Sequence, residues 1–421
     1  CSYGPGRYDT SYELKGRDYP FGYVRWTEQR NFGAILDLIN QGTLNVDELV
    51  TERFEFDRAL EAYRRLTTDS SAVGFVLSYD GSEFQSEGSD QTVRLGEPAR
   101  VSPRLGVSVG MIGSGQHVSQ TLLPLLAKTG VRIKSIASKS GVSSTRLAKR
   151  YHIEESTTNV DSIMNDPEIN TIFIATRHDT HAGFVIEALK GGKNVFVEKP
   201  LAISPEELAE IEGGYEEGDS PVIMVGFNRR FAPQVVKMKE LIGSLSEPKS
   251  FVFTVNAGAV PQDHWVMDPK IGGGRIIGEG CHFVDLLRFL AGARIVDVQS
   301  TQMGLNGGAR HPEDRVSFTL KFEDGSFGTV HYLANGSRRF PKERLEVFCG
   351  GRILQLNNFR RLRGFGWPGF SRMNLRSQDK GHRGCIRAFI QAVEKNGPSP
   401  IPFEELLEVS GTTFEIVEKA G

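Results

Sequence analysis

Cysteine is scarce in this chain, and Cys1, Cys281, Cys349 and Cys385 form no C-x-x-C pair. We therefore predict no cysteine zinc site and no other metal site. A reducing cytoplasm is the expected location for a protein with so few cysteines. Long apolar runs are also missing, so no membrane span is expected, and the first residues do not have the pattern of a secretory signal.

An excess of charge of either sign is absent as well, since the chain has 50 Lys and Arg residues and 52 Asp and Glu residues. A net charge of −2 gives no reason to expect nucleic acid or an acidic membrane as a partner. The 47 glycines are distributed rather than repeated, which excludes a collagen-like or low-complexity chain. A length of 421 residues predicts two or three domains. The start at Cys1, without a methionine, leads us to expect a piece of a longer protein.

The pattern of apolar residues divides the chain into four parts. Residues 1–80 combine two helical stripes with short strands at 49–54 and 73–79, around a core too thin to be stable on its own. Residues 81–101 are polar and rich in Gly, Ser and Glu, which predicts a linker.

The remaining two parts are a pair of α/β domains. Between residues 102 and 227 short apolar strands alternate with helices, which predicts a Rossmann domain with a parallel sheet. Residues 228–421 contain long strands and two closing helices, which predicts a mostly antiparallel open sheet backed by helices. Apolar residues alternate along one long strand, so we expect a second subunit to cover the open face and form a homo-oligomer. The alternating residues are Val316, Phe318, Leu320 and Phe322.

A glycine-containing turn follows the first strand of the Rossmann pattern, in VSVGMIGSGQHV. Glycine permits a tight turn and the close approach of a pyrophosphate, and the start of the next helix supplies free N–H groups. We therefore predict that this turn binds a dinucleotide cofactor. The expected contacts are Gly113, Ser114, Gly115, Gln116 and His117. The third motif position is Val118 instead of Gly or Ala, and the alternative is a purely structural turn.

The end of the second strand, Ser138-Lys139-Ser140, carries no acidic residue. In NAD-selective sites an Asp or Glu at this place binds the ribose 2′-hydroxyl, whereas Lys139 can neutralise a 2′-phosphate that the serines hydrogen-bond. The expected cofactor is therefore NAD or NADP, with NADP slightly favoured. The alternative is that Lys139 only projects into solvent.

Four motifs follow in order along the chain. They are ATRHDTH at 175–181, VFVEKPLA at 195–202, GFNRRFAP at 226–233 and GGGRIIGEGCHFVDLLRFLAG at 272–292. In this order and spacing they resemble the Gfo/Idh/MocA oxidoreductases over about residues 104–420, and the triplet Glu198-Lys199-Pro200 is their most specific element. The resemblance implies hydride transfer between NAD(P) and a hydroxyl carbon of a sugar, cyclitol or related polyol.

By this resemblance Lys199 is the catalytic lysine and His282 is the active-site histidine. A hydride leaves carbon as its hydroxyl loses a proton, so the site needs a cation at the developing oxyanion and a proton acceptor. Many relatives have an Asp four residues before the histidine, where this chain has Gly278. Glu279 and Asp285 each lie three residues from His282 on a helix, so we expect one of them to orient the imidazole. The alternatives are a surface lysine and a core histidine.

The resemblance implies further contacts on both ligands. The remaining cofactor contacts are Thr176, Arg177, His181, Glu198 and Lys199. The substrate contacts are Arg230, Trp265 and His282. His181 has helix capping as its alternative role, and Trp265 is more typical of a packing wall than of a chemical group.

Residues 1–80 resemble a different family, the C-terminal end of zinc-type medium-chain alcohol dehydrogenases. The resemblance rests on RWTEQRNFGAILDLINQGTLNVDELVTERFEFDRALEAYRRL and on VGFVLSY. The zinc ligands and the Rossmann glycines of that family would lie upstream, so no zinc chemistry is assigned here. We interpret the chain as part of a two-domain oxidoreductase.

Basic and aromatic residues are interleaved between 359 and 383, against the single acid Asp379. This segment either holds an anionic sugar, such as a uronate or a nucleotide sugar, or is a solvated loop or subunit contact. Three functions stay open: an NAD(P)-dependent sugar dehydrogenase or reductase, a redox-assisted lyase or glycosidase that recycles its cofactor, and a non-catalytic cofactor-binding regulator. The first is the function that we predict, and the presence of both Lys199 and His282 argues against the regulator.

Overall fold

The computed structural model divides the chain into two compact units, Cys1–Ser89 and Asp90–Gly421. The residues described are 4–6, 8–14, 16–79, 91–95, 106–215, 221–261, 263–304 and 314–420. Within these ranges, no helix combines the length and the apolar character needed to cross a bilayer.

The first unit is a small α/β segment. Its elements are α1 (Thr10–Glu13), α2 (Glu28–Asn40), β1 (Glu52–Glu55), α3 (Ala59–Thr68) and β2 (Phe75–Ser78). β1 and β2 pair in parallel with α3 between them in the chain, so the three elements form a βαβ unit. Among its described residues Phe54 and Ala62 are the buried apolar side chains, whereas Ile35 and Leu36 of α2 are exposed. The core of this unit is therefore thin.

A seven-stranded sheet forms the first half of the second unit, in the order β3-β6-β5-β4-β7-β8-β9. Its strands are β3 (Thr92–Arg94), β4 (Ser108–Ile112), β5 (Arg132–Ala137), β6 (Glu155–Thr157), β7 (Thr171–Ile174), β8 (Asn194–Val197) and β9 (Ile223–Val225). Neighbouring strands are parallel except β3 and β6, which are antiparallel. The helices between them are α4 (Leu123–Leu126), α5 (Val142–Tyr151), α6 (Asp161–Met164), α7 (His181–Lys190) and α8 (Pro205–Gly213).

The predicted linker needs one correction. Within residues 81–101 the structure describes 91–95, and Thr92–Arg94 form the edge strand β3. The hydroxyl of Thr92 donates to that of Thr157 in β6 at 2.8 Å. β-Branched residues such as these pack well on a half-buried sheet edge, which a polar composition alone did not indicate. The rest of the predicted linker lies outside the described residues.

Burial on both faces explains why the first sheet is parallel. Every residue of β4 and of β7 is buried, and both strands are largely apolar. Such strands need helices on both sides of the sheet, which the connections supply. β4 has β5 on one side and β7 on the other, so the strand order reverses at β4. Ligands of this fold bind at the carboxyl end of the strands at that point.

An eight-stranded sheet forms the second half of the unit, in the order β11-β12-β13-β10-β14-β15-β16-β17. Its strands are β10 (Ser250–Asn256), β11 (Ile295–Gln302), β12 (Arg315–Phe322), β13 (Phe327–Leu333), β14 (Glu343–Cys349), β15 (Arg352–Asn357), β16 (Arg361–Phe365) and β17 (Arg372–Asn374). β10 and β13 pair in parallel, and the other described pairs are antiparallel. The helices are α9 (Pro233–Gly243), α10 (Cys281–Ala291), α11 (His382–Glu394) and α12 (Phe403–Ala420). The predicted fold class, a Rossmann domain followed by a mostly antiparallel α/β domain, is confirmed.

One face of the second sheet packs on helices of the same unit. Phe283 of α10 meets Phe253 of β10 edge-on, with ring centres 5.0 Å apart. The four apolar residues singled out in β12 are buried: Val316, Phe318, Leu320 and Phe322. Their alternation therefore marks the covered side of the strand and does not by itself require a second subunit.

The basic segment at 359–383 contains β16 and β17. Phe359 and Trp367 are buried, and the Trp367 indole N–H donates to the carbonyl oxygen of Ile353 at 3.0 Å. Arg361 and Arg363 are exposed. The buried aromatic side chains and these arginines therefore do not form a common binding surface.

Candidate active site

The turn after β4 has the geometry of a dinucleotide-binding turn. Gly113 has a φ of +110°, and a Cβ at this position would lie 2.3 Å from the carbonyl oxygen of Ala175, so only glycine fits. A Cβ on Gly115 would meet no atom within 4 Å, so the backbone there faces open space. The helix that follows begins at Gln116. Its first N–H groups have no intrahelical acceptor and are suited to an anion.

Hydroxyl groups connect this turn to the end of β5. The hydroxyls of Ser114 and Ser143 lie 2.5 Å apart, and the hydroxyl of Ser138 donates to that of Ser144 at 2.9 Å. Lys139 is exposed beside them. Ser143 and Ser144 were not among the predicted contacts. Their position, as two consecutive serines at the start of a helix, could have indicated them. Together these groups can bind the hydroxyls or a phosphate of a ribose.

Lys199 follows β8 in the turn Glu198-Lys199-Pro200, whose last peptide bond is cis. The Lys199 ammonium donates to the carbonyl oxygen of Gly278 at 2.7 Å. Gly278 belongs to the π-helical turn Ile276–Gly280 ahead of α10, a kind of turn that is frequent at functional sites. An ammonium group has three N–H donors, so two remain for a ligand.

Glu198 is held by His117, whose Nε2 lies 3.2 Å from the carboxylate. A Cβ on Gly226 would lie 2.9 Å from the same carboxylate, so glycine at 226 leaves room for it. Burial raises the pKa of Glu198, but the hydrogen bond from His117 and the charge of Lys199 outweigh burial, and the pKa lies below its usual value. Glu198 is therefore an anion next to Lys199 at neutral pH.

His181 is buried, and both nitrogens of its imidazole lie close to backbone carbonyl oxygens. Nδ1 donates to the carbonyl oxygen of Pro200 at 2.7 Å, and Nε2 lies 3.3 Å from the carbonyl oxygen of Thr176. Burial lowers the pKa of His181, so the ring is neutral. The sequence analysis expected a ligand contact from this histidine. The structure instead places it where it fixes the turn that carries Lys199.

His282 lies in the first turn of α10 with 6% of its surface exposed. Its Nδ1 is buried and has no hydrogen-bond partner in the part of the chain that the structure describes. Burial, together with the positive charges of Arg229 and Lys199, holds the pKa of His282 well below its usual value. The imidazole is therefore neutral at pH 7 and able to accept a proton.

Glu279 does not orient His282, contrary to the sequence analysis. Its carboxylate accepts hydrogen bonds from Tyr332 at 2.6 Å, Lys342 at 2.6 Å and Arg275 at 3.0 Å. Burial raises the pKa of Glu279, but the donors outweigh burial and hold the pKa far below its usual value. Lys342 has the largest effect among them. Tyr332 and Lys342 lie 53 and 63 residues from Glu279 in the chain, a distance that helical spacing cannot predict.

Asp285 does not hold His282 either, because it is paired with Arg230. The Arg230 guanidinium donates to Asp285 at 2.5 and 3.2 Å and to Glu405 at 3.0 Å. Arg230 and Asp285 are both buried. The predicted substrate contact of Arg230 is therefore replaced by an interior ion pair that joins the segment before α9 to α10 and α12.

His178 is a site residue that the sequence analysis missed. Its Nδ1 lies 2.7 Å from the carbonyl oxygen of Gly272, to which it donates, so Nε2 carries the lone pair. A Cβ on Gly278 would lie 2.9 Å from Cε1 of His178. The imidazole therefore fills the space that a side chain at 278 would need. The available signal was the position of His178 in ATRHDTH, three residues before His181.

The surroundings of His178 keep it neutral. Burial, and then the charge of Lys199, lower the pKa of His178 to about 3. Trp265 packs edge-on against the ring with centres 4.8 Å apart, and Arg177 lies 5.8 Å from the Trp265 ring centre. Trp265 thus packs against one side of the site, and the Arg177 guanidinium lies over the Trp265 ring.

Burial determines the state of the Cys281 thiol in this region. Burial raises the pKa of the Cys281 thiol to about 12, so the thiol beside His282 is protonated at neutral pH. Across the described ranges, no group of three or more His, Cys, Asp and Glu side chains is arranged to hold a metal ion.

Two models of one protein family match this chain. The model of the Gfo/Idh/MocA oxidoreductases with an NAD-binding Rossmann fold matches residues 107–227. The model of the Gfo/Idh/MocA C-terminal domain matches residues 235–352. One match therefore lies in each half of the second unit.

Individual relatives carry the names of dehydrogenases. A scyllo-inositol 2-dehydrogenase (NAD(+)) of Bacillus subtilis is 31% identical over 191 residues, 44% of this chain and 54% of that protein. A levoglucosan dehydrogenase of Pseudarthrobacter phenanthrenivorans is 27% identical over 269 residues, 55% of this chain and 69% of that protein. A 1-carboxy-3-chloro-3,4-dihydroxycyclo hexa-1,5-diene dehydrogenase of Comamonas testosteroni is 26% identical over 228 residues. That match spans 53% of this chain and 57% of the relative, so it covers little more than half of the relative's length.

A solved structure shares the fold. Levoglucosan dehydrogenase in complex with NADH and levoglucosan aligns with a TM-score of 0.65 and 24% identity, over 75% of this chain and 97% of that chain. At this identity the likeness bears on the fold alone.

We predict that Asp285→Ala destabilises the protein by about 3–5 kcal/mol, because it leaves the Arg230 guanidinium buried without its main partner. Urea denaturation at pH 7 measures this change. Asp297→Ala is the control, since it removes the exposed partner of Lys321 and should change stability little. A loss for Asp285→Ala below about 0.5 kcal/mol would contradict the role given to the buried pair.

Proposed function

The chain belongs to the Gfo/Idh/MocA oxidoreductase family, and on this premise we propose that it is an NAD(P)-dependent dehydrogenase or reductase acting on a CH–OH carbon of a sugar or polyol. The observation that carries the proposal is the Lys199 ammonium on the Gly278 carbonyl, in the helical segment that leads to the neutral His282. The inositol and levoglucosan dehydrogenases among the relatives support the substrate class.

The residues around the glycine turn fit NAD(P), which supplies or takes up the hydride when it is bound. The open space at Gly115 and the helix start at Gln116 suit the pyrophosphate. Ser138 and Lys139 suit the ribose of the adenosine half. The other proposed cofactor contacts are Gly113, Ser114, His117, Thr176, Arg177, Glu198 and Lys199.

Two side chains carry the proposed chemistry. Lys199 hydrogen-bonds the reacting oxygen with one of its remaining N–H groups and stabilises the negative charge that develops there. His282 takes the proton of the hydroxyl in the oxidative direction and returns it in the other. Glu198 is the anion beside Lys199, and His178 acts as a positioning residue that holds the Gly278 segment against the turn.

Four more specific proposals concern the cofactor preference, the oligomeric state, the location and residues 1–80. Lys139 and the absence of an acid at the end of β5 support NADP over NAD. The open face of the second sheet, with partly exposed Phe348 and Val252, supports a homo-oligomer. The few cysteines support a cytoplasmic location. The parallel β1–α3–β2 unit supports the interpretation of residues 1–80 as the end of a medium-chain dehydrogenase.

A redox-assisted lyase or glycosidase would use the same residues for a transient oxidation. Such an enzyme returns its cofactor to the starting state in each turnover, whereas a dehydrogenase releases one NAD(P)H for each sugar oxidised. Absorbance of NAD(P)H during turnover of a panel of sugars, polyols and uronates separates these two functions. A regulator without catalysis would give neither product nor NAD(P)H.

We predict that Gly115→Trp abolishes saturable NAD(P)H binding, because an indole would fill the space left for the pyrophosphate. Fluorescence titration of NADH and NADPH measures the loss, which should exceed about tenfold in Kd. Gly183→Trp is the matched control, since Gly183 is an exposed helical glycine with equally open surroundings. An unchanged Kd for Gly115→Trp would place the cofactor elsewhere.

We predict that wild type binds NADPH at least as tightly as NADH and that Lys139→Asp shifts the ratio of the two Kd values toward NADH. The new carboxylate would repel a 2′-phosphate and accept a hydrogen bond from a 2′-hydroxyl. Ratios of Kd from the same titration give the result. A wild type that already prefers NADH more than tenfold would overturn the NADP proposal.

We predict that Lys199→Ala lowers kcat about 10²–10³-fold and that His282→Ala lowers it about 10²–10⁴-fold. Since both act on one proton transfer, the double variant should lose much less than the product of the two factors. NAD(P)H affinity should change much less than kcat, and Lys190→Ala, at an exposed lysine of α7, is the control. Near-normal turnover by Lys199→Ala would refute the proposed mechanism.

A further inference from the structure

A cavity of about 570 Å³ lies at one edge of the eight-stranded sheet. β10 and β13 run parallel, so their carboxyl ends meet at this edge. Ala257 and Gly258 line the cavity from the segment after β10, and the loop between β13 and β14 contributes Arg338, Phe340 and Lys342. The sheet itself therefore brings together the segments that form the cavity.

The side chains that line the cavity carry positive charge and no negative charge. Arg338 and Arg339 contribute two cations, and no Asp or Glu is among the lining residues, whereas the third cation, Lys342, is paired with Glu279 at 2.6 Å. The chain as a whole has a net charge of −2, so this concentration of cations is local. Arg338 and Arg339 are exposed, and neither forms an ion pair with any residue that the structure describes. Arginines at consecutive positions that line one cavity suit a carboxylate or a phosphate as the ligand.

Asn256 fixes the loop that carries the two arginines. Its side-chain amide donates to the carbonyl oxygens of Ser337 at 2.7 Å and Phe340 at 3.3 Å. Its backbone N–H donates to the carbonyl oxygen of Lys342 at 2.7 Å. A Cβ on Gly336 would lie 2.2 Å from the Asn256 side-chain oxygen, so the loop needs glycine there. A loop held in this way loses little freedom when a ligand binds.

Two contacts connect the cavity with the candidate active site. Lys342 binds Glu279 at 2.6 Å. Arg275, which also binds Glu279, donates to the carbonyl oxygen of Gly258 at 3.3 Å. Glu279 directly follows the residue that accepts the Lys199 ammonium. These contacts therefore connect the cavity lining to the helical segment that carries Gly278 and leads to His282.

We propose that the cavity binds the anionic group, a carboxylate or a phosphate, of a sugar whose CH–OH carbon reacts at Lys199. The sugar part of this inference rests on the proposed function, whereas the anion follows from the arginines themselves. Phe340 lines the same cavity with half of its surface exposed and offers an apolar face to the sugar ring. The anion site lies at Arg338 and Arg339 rather than in the basic segment at 359–383.

Calorimetric titration of the full chain, with and without saturating NADH, tests the inference. The probes are D-glucuronate, D-galacturonate, D-glucose 6-phosphate and D-glucose, so that carboxylate, phosphate and neutral ligands are compared. Wild type should bind at least one anionic sugar about tenfold more tightly than D-glucose or better. The double variant Arg338→Gln, Arg339→Gln should lose that preference by about tenfold or more and keep its NADH affinity.

The double variant Arg361→Gln, Arg363→Gln is the matched control, because it removes two exposed arginines of the same sheet outside the cavity. Added NaCl should weaken anion binding by wild type, which tests the charge without a substitution. The inference is wrong if no anionic sugar binds more tightly than D-glucose, or if the control variant loses as much as the cavity variant. NADH binding and the Lys199→Ala assay decide the proposed function separately.

Discussion

The hydrogen bond from the Lys199 ammonium to the Gly278 carbonyl is the contact on which the candidate site depends. It joins the turn after β8 in the first sheet to the helical segment before α10 in the second half of the unit. Each end is fixed by a neutral histidine that donates to a backbone carbonyl. His181 holds the Pro200 carbonyl on the lysine side, and His178 holds the Gly272 carbonyl and packs against Gly278. The distance of 2.7 Å therefore reflects two positioned backbone segments and not the reach of a flexible side chain.

Buried ion pairs stabilise the same junction from the interior. Arg229 donates two hydrogen bonds to Glu343 of β14, at 2.7 and 3.0 Å, and Lys380 binds the same carboxylate at 2.6 Å. The neighbouring Arg230 pairs with Asp285 of α10. Because a buried charge without a partner is costly, these pairs specify one placement of the segment before α9 against β14 and α10. The sequence motif GFNRRFAP thus has a structural role, in which consecutive arginines point to different partners.

Local signals account for what could be predicted from the sequence. Strand–helix alternation and the turn glycines lie within a few residues of each other, so the Rossmann half and the Gly113–Gly115 turn could be predicted. The partners of Glu279 could not, because helical spacing indicates only which residues share a face, and Lys342 comes from the loop between β13 and β14, 63 residues away. His178 was missed for the same reason, since its role depends on the empty Cβ position of Gly278 in another part of the chain.

Several carboxylates lie around the candidate site, and each of them is hydrogen-bonded to a donor or paired with a cation. The three with lowered pKa values are Glu198, Glu279 and Glu343. Burial raises the pKa of Glu343, but Arg229 and Lys380 outweigh burial and lower it to about 2. Such groups stay ionised at neutral pH. Burial and the charge of Lys199 instead keep His178 and His282 neutral. The cation that would stabilise a developing oxyanion therefore also helps to keep the nearby imidazole in its unprotonated form.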